Sequence, residues 1–218
     1  MTDTTHTTGT LARIEHLVTS GKFSLDGDEW DVDNNVWIIG DDTTVIVIDP
    51  SHDARAIAAA VGGREVAAIL LSHGHDDHIR AVGEFVRTNG APVYLNSNDR
   101  MLWNDVYPML APDHDIREGD TFTVADVTLT ARHTPGHSPG SVSFYSAELG
   151  TVFTGDTLFQ GGPGATGRLY SSFDTIIESI TTQLLTLPAE TVVRTGHGDT
   201  TTIGAEAPQR DEWIARGH

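Results

Sequence analysis

A chain of 218 residues with 38% apolar content can bury one sizeable core and is short for two full domains, so one domain is expected. Its 13 Lys plus Arg stand against 31 Asp plus Glu, a formal charge of −18 that disfavours a phosphate backbone and removes nucleic acid from the expected partners. Cysteine is absent, which excludes disulfides, thiolate nucleophiles and Cys-ligated zinc together and leaves imidazole and carboxylate to hold any metal.

The chain opens Thr-rich through Thr10, and residues 1–20 are expected to fray, with one domain spanning 21–218. The opening has no basic head followed by an apolar run, and no stretch reaches the roughly 18 apolar residues of a membrane helix. A cytoplasmic protein with no membrane partner is expected. Trp37 to Ile39 and Thr44 to Ile48 read as two strands of a hairpin joined by a polar turn. Asp53 to Val61 is Ala-rich with an Asp start and a Gly62-Gly63 stop, a helix, and Val66 to Leu71 is a buried strand. His78 to Arg87 carries Ile79, Val82, Phe85 and Val86 on one face and ends at Asn89-Gly90, a second helix, before a short strand at Pro92 to Leu95.

From Thr121 to Thr154 strands are broken by the loop 133–140 and a turn near Gly150; a Gly-rich loop follows from Gly161 to Gly167. Ile176, Ile177, Ile180, Leu184 and Leu185 repeat at helical spacing until Pro188, Thr191 to Thr195 is a last strand, and the tail holds a short helix at most. Strands and helices mix in both halves, which predicts an α/β chain with two sheets face to face and helices outside.

The segment His73-Gly74-His75-Asp76-Asp77-His78 places three imidazoles and two carboxylates in the turn between a buried strand and an amphipathic helix, a density that suits metal ligation better than packing. His137, Asp156 and His197 each follow the end of a predicted strand, so all four loops can meet on one rim. His133 is expected to order its loop, and His6, His16, His52, His114 and His218 lack supporting context and are expected to be structural or exposed.

These segments resemble the metallo-β-lactamase superfamily, whose His-x-His-x-Asp-His signature stands here as His73, His75, Asp77 and His78. Thr134-Pro135-Gly136-His137, Thr154-Gly155-Asp156-Thr157 and Gly196-His197-Gly198 match its later motifs, over roughly residues 35 to 200. The resemblance implies an αββα sandwich with a two-metal site at one edge of the sheets. It assigns His73, His75 and His137 to one ion, Asp77, His78 and His197 to the other, and Asp156 as the bridge. The ions are expected to be divalent, zinc first, with iron or manganese compatible with the same ligands. Two such ions with Asp77, Asp156 and a hydroxide keep a net charge of 4 − 2 − 1 = +1, so water is acidified while a developing oxyanion is still attracted; Asp77 and Asp156 are the carboxylates expected to serve catalysis. Asp49, ending the second hairpin strand, is a candidate hydrogen-bond partner of a ligand imidazole, or a strand-end turn residue.

Within the superfamily the run from Gly155 through Gly161-Gly162 to Gly164-Ala165-Thr166-Gly167-Arg168 resembles the glyoxalase II-like (hydroxyacylglutathione hydrolase-like) branch. That implies a metal-held hydroxide attacking an acyl carbonyl, most readily a thioester, because a thiolate with a pKa of about 8.5 leaves without a protonated acid. Arg168 is the candidate substrate contact, against a local ion pair. The chain ends 218 − 197 = 21 residues after His197, so the helical extension that carries much of the glutathione site is expected to be lacking; a small-molecule acyl substrate is expected, a small-thiol thioester first, with a truncated glutathione pocket or an unrelated ester as the alternatives. The rival readings are a persulfide dioxygenase with one iron on His73, His137 and Asp156, and a lactonase or β-lactamase. Oligomeric state is left open.

Overall fold

The computed structural model describes residues 11–25 and 28–217. One six-stranded sheet runs in the order β1 (Arg13–Leu25), β2 (Asp28–Gly40), β3 (Thr44–Ile48), β4 (Glu65–Leu70), β5 (Val93–Leu95) and β6 (His114–Asp115). The second is built from β7 (Thr121–Val124), β8 (Val127–His133), β9 (Val142–Ser146) and β10 (Thr151–Gly155), with β13 (Val192–Thr195) and β14 (Thr201–Thr202) beyond β10. A two-stranded ribbon of β11 (Leu158–Phe159) and β12 (Gly162–Pro163) lies between them in sequence. Helices α1 (Ala54–Val61), α2 (Asp76–Ile79), α3 (Val82–Asn89) and α4 (Arg100–Val106) follow strands of the first sheet; α5 (Phe173–Ser179), α6 (Ile203–Glu206) and α7 (Arg210–Arg216) accompany the second.

The four-layer αββα sandwich follows from the side-chain period of a strand. Val36, Ile38, Val45 and Val47 point to one face of the first sheet and pack with Ile57 of α1, Phe85 of α3 and Trp103 of α4. Their neighbours Trp37, Ile39, Ile46 and Ile48 point the other way and meet Leu129, Phe144 and Phe153 of the second sheet. Both faces of β3 and of residues 36–39 of β2 are therefore buried, which is why these segments read as unbroken apolar runs. Behind the second sheet, Val152 and Val193 pack against Ile176, Ile180 and Leu184 and against Trp213 of α7.

Several expectations need correction. Residues 13–20 are not frayed: they form the first half of β1, which pairs with β2 over its whole length from Arg13 to Leu25. Residues 1–10 lie outside the described residues. The helix expected over His78 to Arg87 is two, α2 and α3, separated at Arg80-Ala81, although Gly90 does close α3 in the left-handed conformation. The glycine-rich loop contains β12. The tail holds two short helices and buries Trp213 in the third core, so it is integral to the fold. Among the described residues no helix is long and apolar enough to cross a membrane.

Candidate metal centre

The parallel strands β3 and β4 of the first sheet, and β10 and β13 of the second, all end at the same rim, as does β8, which runs in the direction of β10; the loops leaving these five strands carry Asp49 and the expected ligands. Two glycines let these loops touch. Gly155 has φ 49°, and a Cβ there would stand 2.3 Å from the Ser72 Oγ; one on Gly196 would stand 2.3 Å from the Asp156 Oδ1. The backbone closes the contact, with Gly196 N donating to Gly155 O at 2.8 Å.

All seven residues of the expected ligand set are brought together. His75 Nδ1 and His137 Nε2 are 3.0 Å apart, and His78 Nε2 and His197 Nε2 are 3.2 Å apart. Asp156 lies between the two pairs, its Oδ1 3.3 Å from His78 Nε2 and its Oδ2 3.4 Å from His197 Nε2 and 3.6 Å from His137 Nε2. Asp77 Oδ2 sits 3.3 Å from His197 Nε2. Ligand-capable atoms of His73, His75 and His137, and again of Asp77, His78 and His197, lie within 4.8 Å of one another.

The remaining ring nitrogens are held from behind. His137 Nδ1 donates to Ala165 O at 2.8 Å, and His197 Nδ1 to Asp33 O at 2.7 Å. His78 Nδ1 donates to Asp49 Oδ2 at 3.0 Å. Ser72 Oγ spends its one proton on Asp49 Oδ2 at 2.6 Å and so accepts from His73 Nδ1 at 3.0 Å. These bonds place a proton on Nδ1 in all four rings and turn Nε2 inward, the nitrogen a metal would take. Asp49 therefore orients two imidazoles at once, one directly and one through Ser72.

Charge in the centre is unevenly spread. Burial lowers His75 to about 3 and pushes His73 well down, so both are neutral near pH 7. Burial also acts on His78 and His197, but Asp156 and Asp77 more than reverse it: His78 is raised well above its usual value and His197 to about 10. Asp77 and Asp156 are held down in turn, burial being outweighed by His78 and His197. Two protons thus stand where cations would balance the same carboxylates. The set fits divalent ions on a further observation: His73 Nε2 and Asp156 Oδ1 are buried without a hydrogen-bond partner, a costly arrangement for isolated polar atoms and a normal one for ligands.

Other residues of the rim carried weak sequence signals or none. Asn34 on β2 is fully buried and donates to Asp77 Oδ2 at 3.0 Å; its Oδ1 faces His52 Nε2 at 2.8 Å, so His52 supports the centre despite its lack of sequence context. Asp99, at the start of α4, accepts from Gly74 N at 2.9 Å, Ser138 Oγ at 2.6 Å and Gly140 N at 2.6 Å. Burial raises this carboxyl, partly offset by those three donors. His133 orders its own loop through Pro139 O at 3.0 Å. Arg168 makes no local ion pair among the described residues: its guanidinium stacks over Phe23 at 4.9 Å and Trp30 at 5.9 Å. It lines a cavity of about 270 Å³ with Phe23, His75, His137, Asp156 and His197, and a second of about 570 Å³ with His75, Arg80, Leu102 and Tyr170.

Fold and site together define a metallohydrolase of the αββα class. The metallo-beta-lactamase superfamily model matches residues 30–197, and the chain belongs to that superfamily. It is 34% identical over 189 residues to the probable metallo-hydrolase YqgX of Bacillus subtilis, covering 80% of this chain and 90% of that one. It is 31% identical over 181 residues to the hydroxyacylglutathione hydrolase GloC of Haemophilus influenzae, covering 76% and 85%. Among solved structures, TTHA1623 in a di-iron-bound form is similar at 32% identity and TM-score 0.69, covering 81% of this chain and 93% of that one. The BLEG-1 B3 metallo-beta-lactamase is similar at 32% identity and TM-score 0.73, covering 87% and 97%.

Proposed function

We propose that the chain is a binuclear hydrolase that cleaves an acyl thioester of a small thiol. The observation that carries this reading is the convergence of two three-residue donor groups on either side of Asp156, with His73 Nε2 and Asp156 Oδ1 buried and without a hydrogen bond. His73, His75 and His137 would hold one ion, Asp77, His78 and His197 the other, and Asp156 both. Two divalent ions bound there would supply acidified water and polarise the carbonyl.

The chain's own residues do the rest. Asp49 and the carbonyls of Asp33 and Ala165 fix the rings of His78, His197 and His137, and Asn34 holds Asp77, so these groups need little reorganisation as charge develops. Phe23, Val32, Phe159 and Ala165 make one wall of the inner cavity apolar and limit water beside the carbonyl. Of the groups lining that cavity, Arg168 is the one ionisable residue outside the ligand set, and a guanidinium does not give up a proton. The leaving group must therefore depart without a protein acid, which suits a thiolate and not an alkylamine. Similarity to hydroxyacylglutathione hydrolase GloC supports the same chemistry.

A second reading, opening of a β-lactam or lactone ring, is favoured by the similarity to the BLEG-1 enzyme. Metal analysis of the purified protein combined with thioester, lactone and β-lactam hydrolysis separates them. Two ions per chain with thiol release from a thioester at least tenfold faster than ring opening supports the proposal. One iron with oxygen consumption would instead support the dioxygenase.

A further inference from the structure

Asp99 occupies the position before α4 where a carboxylate ordinarily caps its own helix, yet its side chain makes no bond to α4. It is fully buried and turns instead toward the metal centre. Its Oδ2 accepts from the backbone N–H of Gly74, between His73 and His75, at 2.9 Å, and from the hydroxyl of Ser138, next to His137, at 2.6 Å. Its Oδ1 accepts from Gly140 N at 2.6 Å. Ser138 Oγ and Ser141 Oγ, 2.8 Å apart, tie the second loop to itself. The loops are packed onto this carboxylate without slack: a Cβ on Gly140 would stand 2.6 Å from the Asp99 Cγ.

One residue thus fastens the loop of His73 and His75 to the loop of His137. The opposite group has other supports. Asp77 is held by Asn34, His78 by Asp49 and His197 by the Asp33 carbonyl, none of which touches Asp99.

We infer that Asp99 is a positioning residue that sets the spacing of His73, His75 and His137, and so tunes the affinity of that ion separately from its neighbour. The inference rests on the binuclear reading above. Asn is the informative replacement because it keeps the volume, but its amide group would face an N–H or a hydroxyl that now donates to the carboxylate. One bond is lost and two donors are set against each other, so the loops move apart where a ligand pair stands 3.0 Å apart.

The test titrates metal-free protein with Co2+ and then Zn2+ alone, reading stoichiometry and the cobalt absorption bands, for the natural chain, Asp99→Asn and Ser138→Ala. Each is repeated in His75→Ala and His197→Ala backgrounds to assign the ion affected. Asp99→Asn is expected to weaken one ion by about 10- to 100-fold, and Ser138→Ala by less. The loss should persist in the His197→Ala background and vanish in the His75→Ala background. The other ion should change little, while the metal-free protein should still fold cooperatively and melt only several degrees lower.

Equal weakening of both ions, an unchanged affinity, or the same loss in the His75→Ala background would each overturn the inference. If Asp99→Asn does not fold, Ser138→Ala decides, and undiminished binding of the His75-dependent ion counts against the proposal. A natural chain that binds one ion only would refute the binuclear reading instead. The Asp99 inference would then be judged on the affinity ratio for that ion.

Discussion

Replacing Asp156 with Asn tests the centre most directly, because the change removes a charge and almost no volume. The carboxylate stands 3.3 Å from His78 Nε2 through Oδ1, which makes no hydrogen bond, and 3.4 Å from His197 Nε2 through Oδ2. At an effective dielectric near 20, a unit charge pair at that separation is worth about 5 kcal/mol before desolvation. Breaking one side of a buried pair typically costs about 3–5 kcal/mol, so uptake of metal should weaken by at least about a hundredfold and stoichiometry should fall below that of the natural chain. Inductively coupled plasma analysis and calorimetric titration measure both.

The metal-free variant gives an independent reading. In the natural chain burial would lower His197, and Asp156 does most to reverse this and carry it to about 10. Without Asp156 the imidazole should titrate closer to its ordinary value near 6.5, as read by NMR of the ring protons. Two ions retained at undiminished affinity with full turnover, or a His197 titration still near 10, would refute the bridging role.

Three further outcomes are expected. Asp49→Ala should weaken metal binding by about 10- to 100-fold, since it frees His78 directly and His73 through Ser72; calorimetry checks this, and loss confined to unfolding would argue against it. The metal-free protein should be most stable near pH 6.5. Below that the unfolded chain binds protons that neutral His73 and His75 refuse, so stability falls as pH falls. Above it His78 and His197 keep protons that the unfolded chain releases, so stability falls as pH rises toward about 10, each limb sloping by up to about 2.7 kcal/mol per pH unit in denaturant titrations. Finally, an acyl group on glutathione should be preferred over the same group on a smaller thiol by less than about a hundredfold in kcat/KM. Arg168 is the cation shared by the two cavities, and Arg80 beside it is paired with Asp76, so few fixed contacts remain for a charged tripeptide; Arg168→Ala should narrow the difference further.

The candidate ligands, which the fold brings together, were legible in the sequence because metal-binding chemistry demands unusual residue density. Three histidines and an aspartate from His73 to His78 serve no packing purpose, and His137, Asp156 and His197 stand where strands end, which is visible in the pattern of Val, Thr and Gly around them. The doubly buried segments, residues 36–39 of β2 and the strand β3, announced themselves as apolar runs. Asp49 was readable as a candidate because it closes such a run.

Asp49 apart, what holds the candidate ligands was decided by the tertiary structure alone. Asp99 and Asn34 look in sequence like a helix-start carboxylate and a polar residue in a hydrophilic stretch, and only the meeting of loops 25 to 43 residues away turns them into supports. Residues 13–20 gain their strand from pairing with 33–40, and Trp213 its burial from the face of the second sheet, neither of which leaves a local period to read. A metal ligand is marked by its own side chain, whereas a hydrogen-bond partner at long range is defined by where the chain returns. The first is a property of residue type and spacing, and the second exists only once the two sheets have packed.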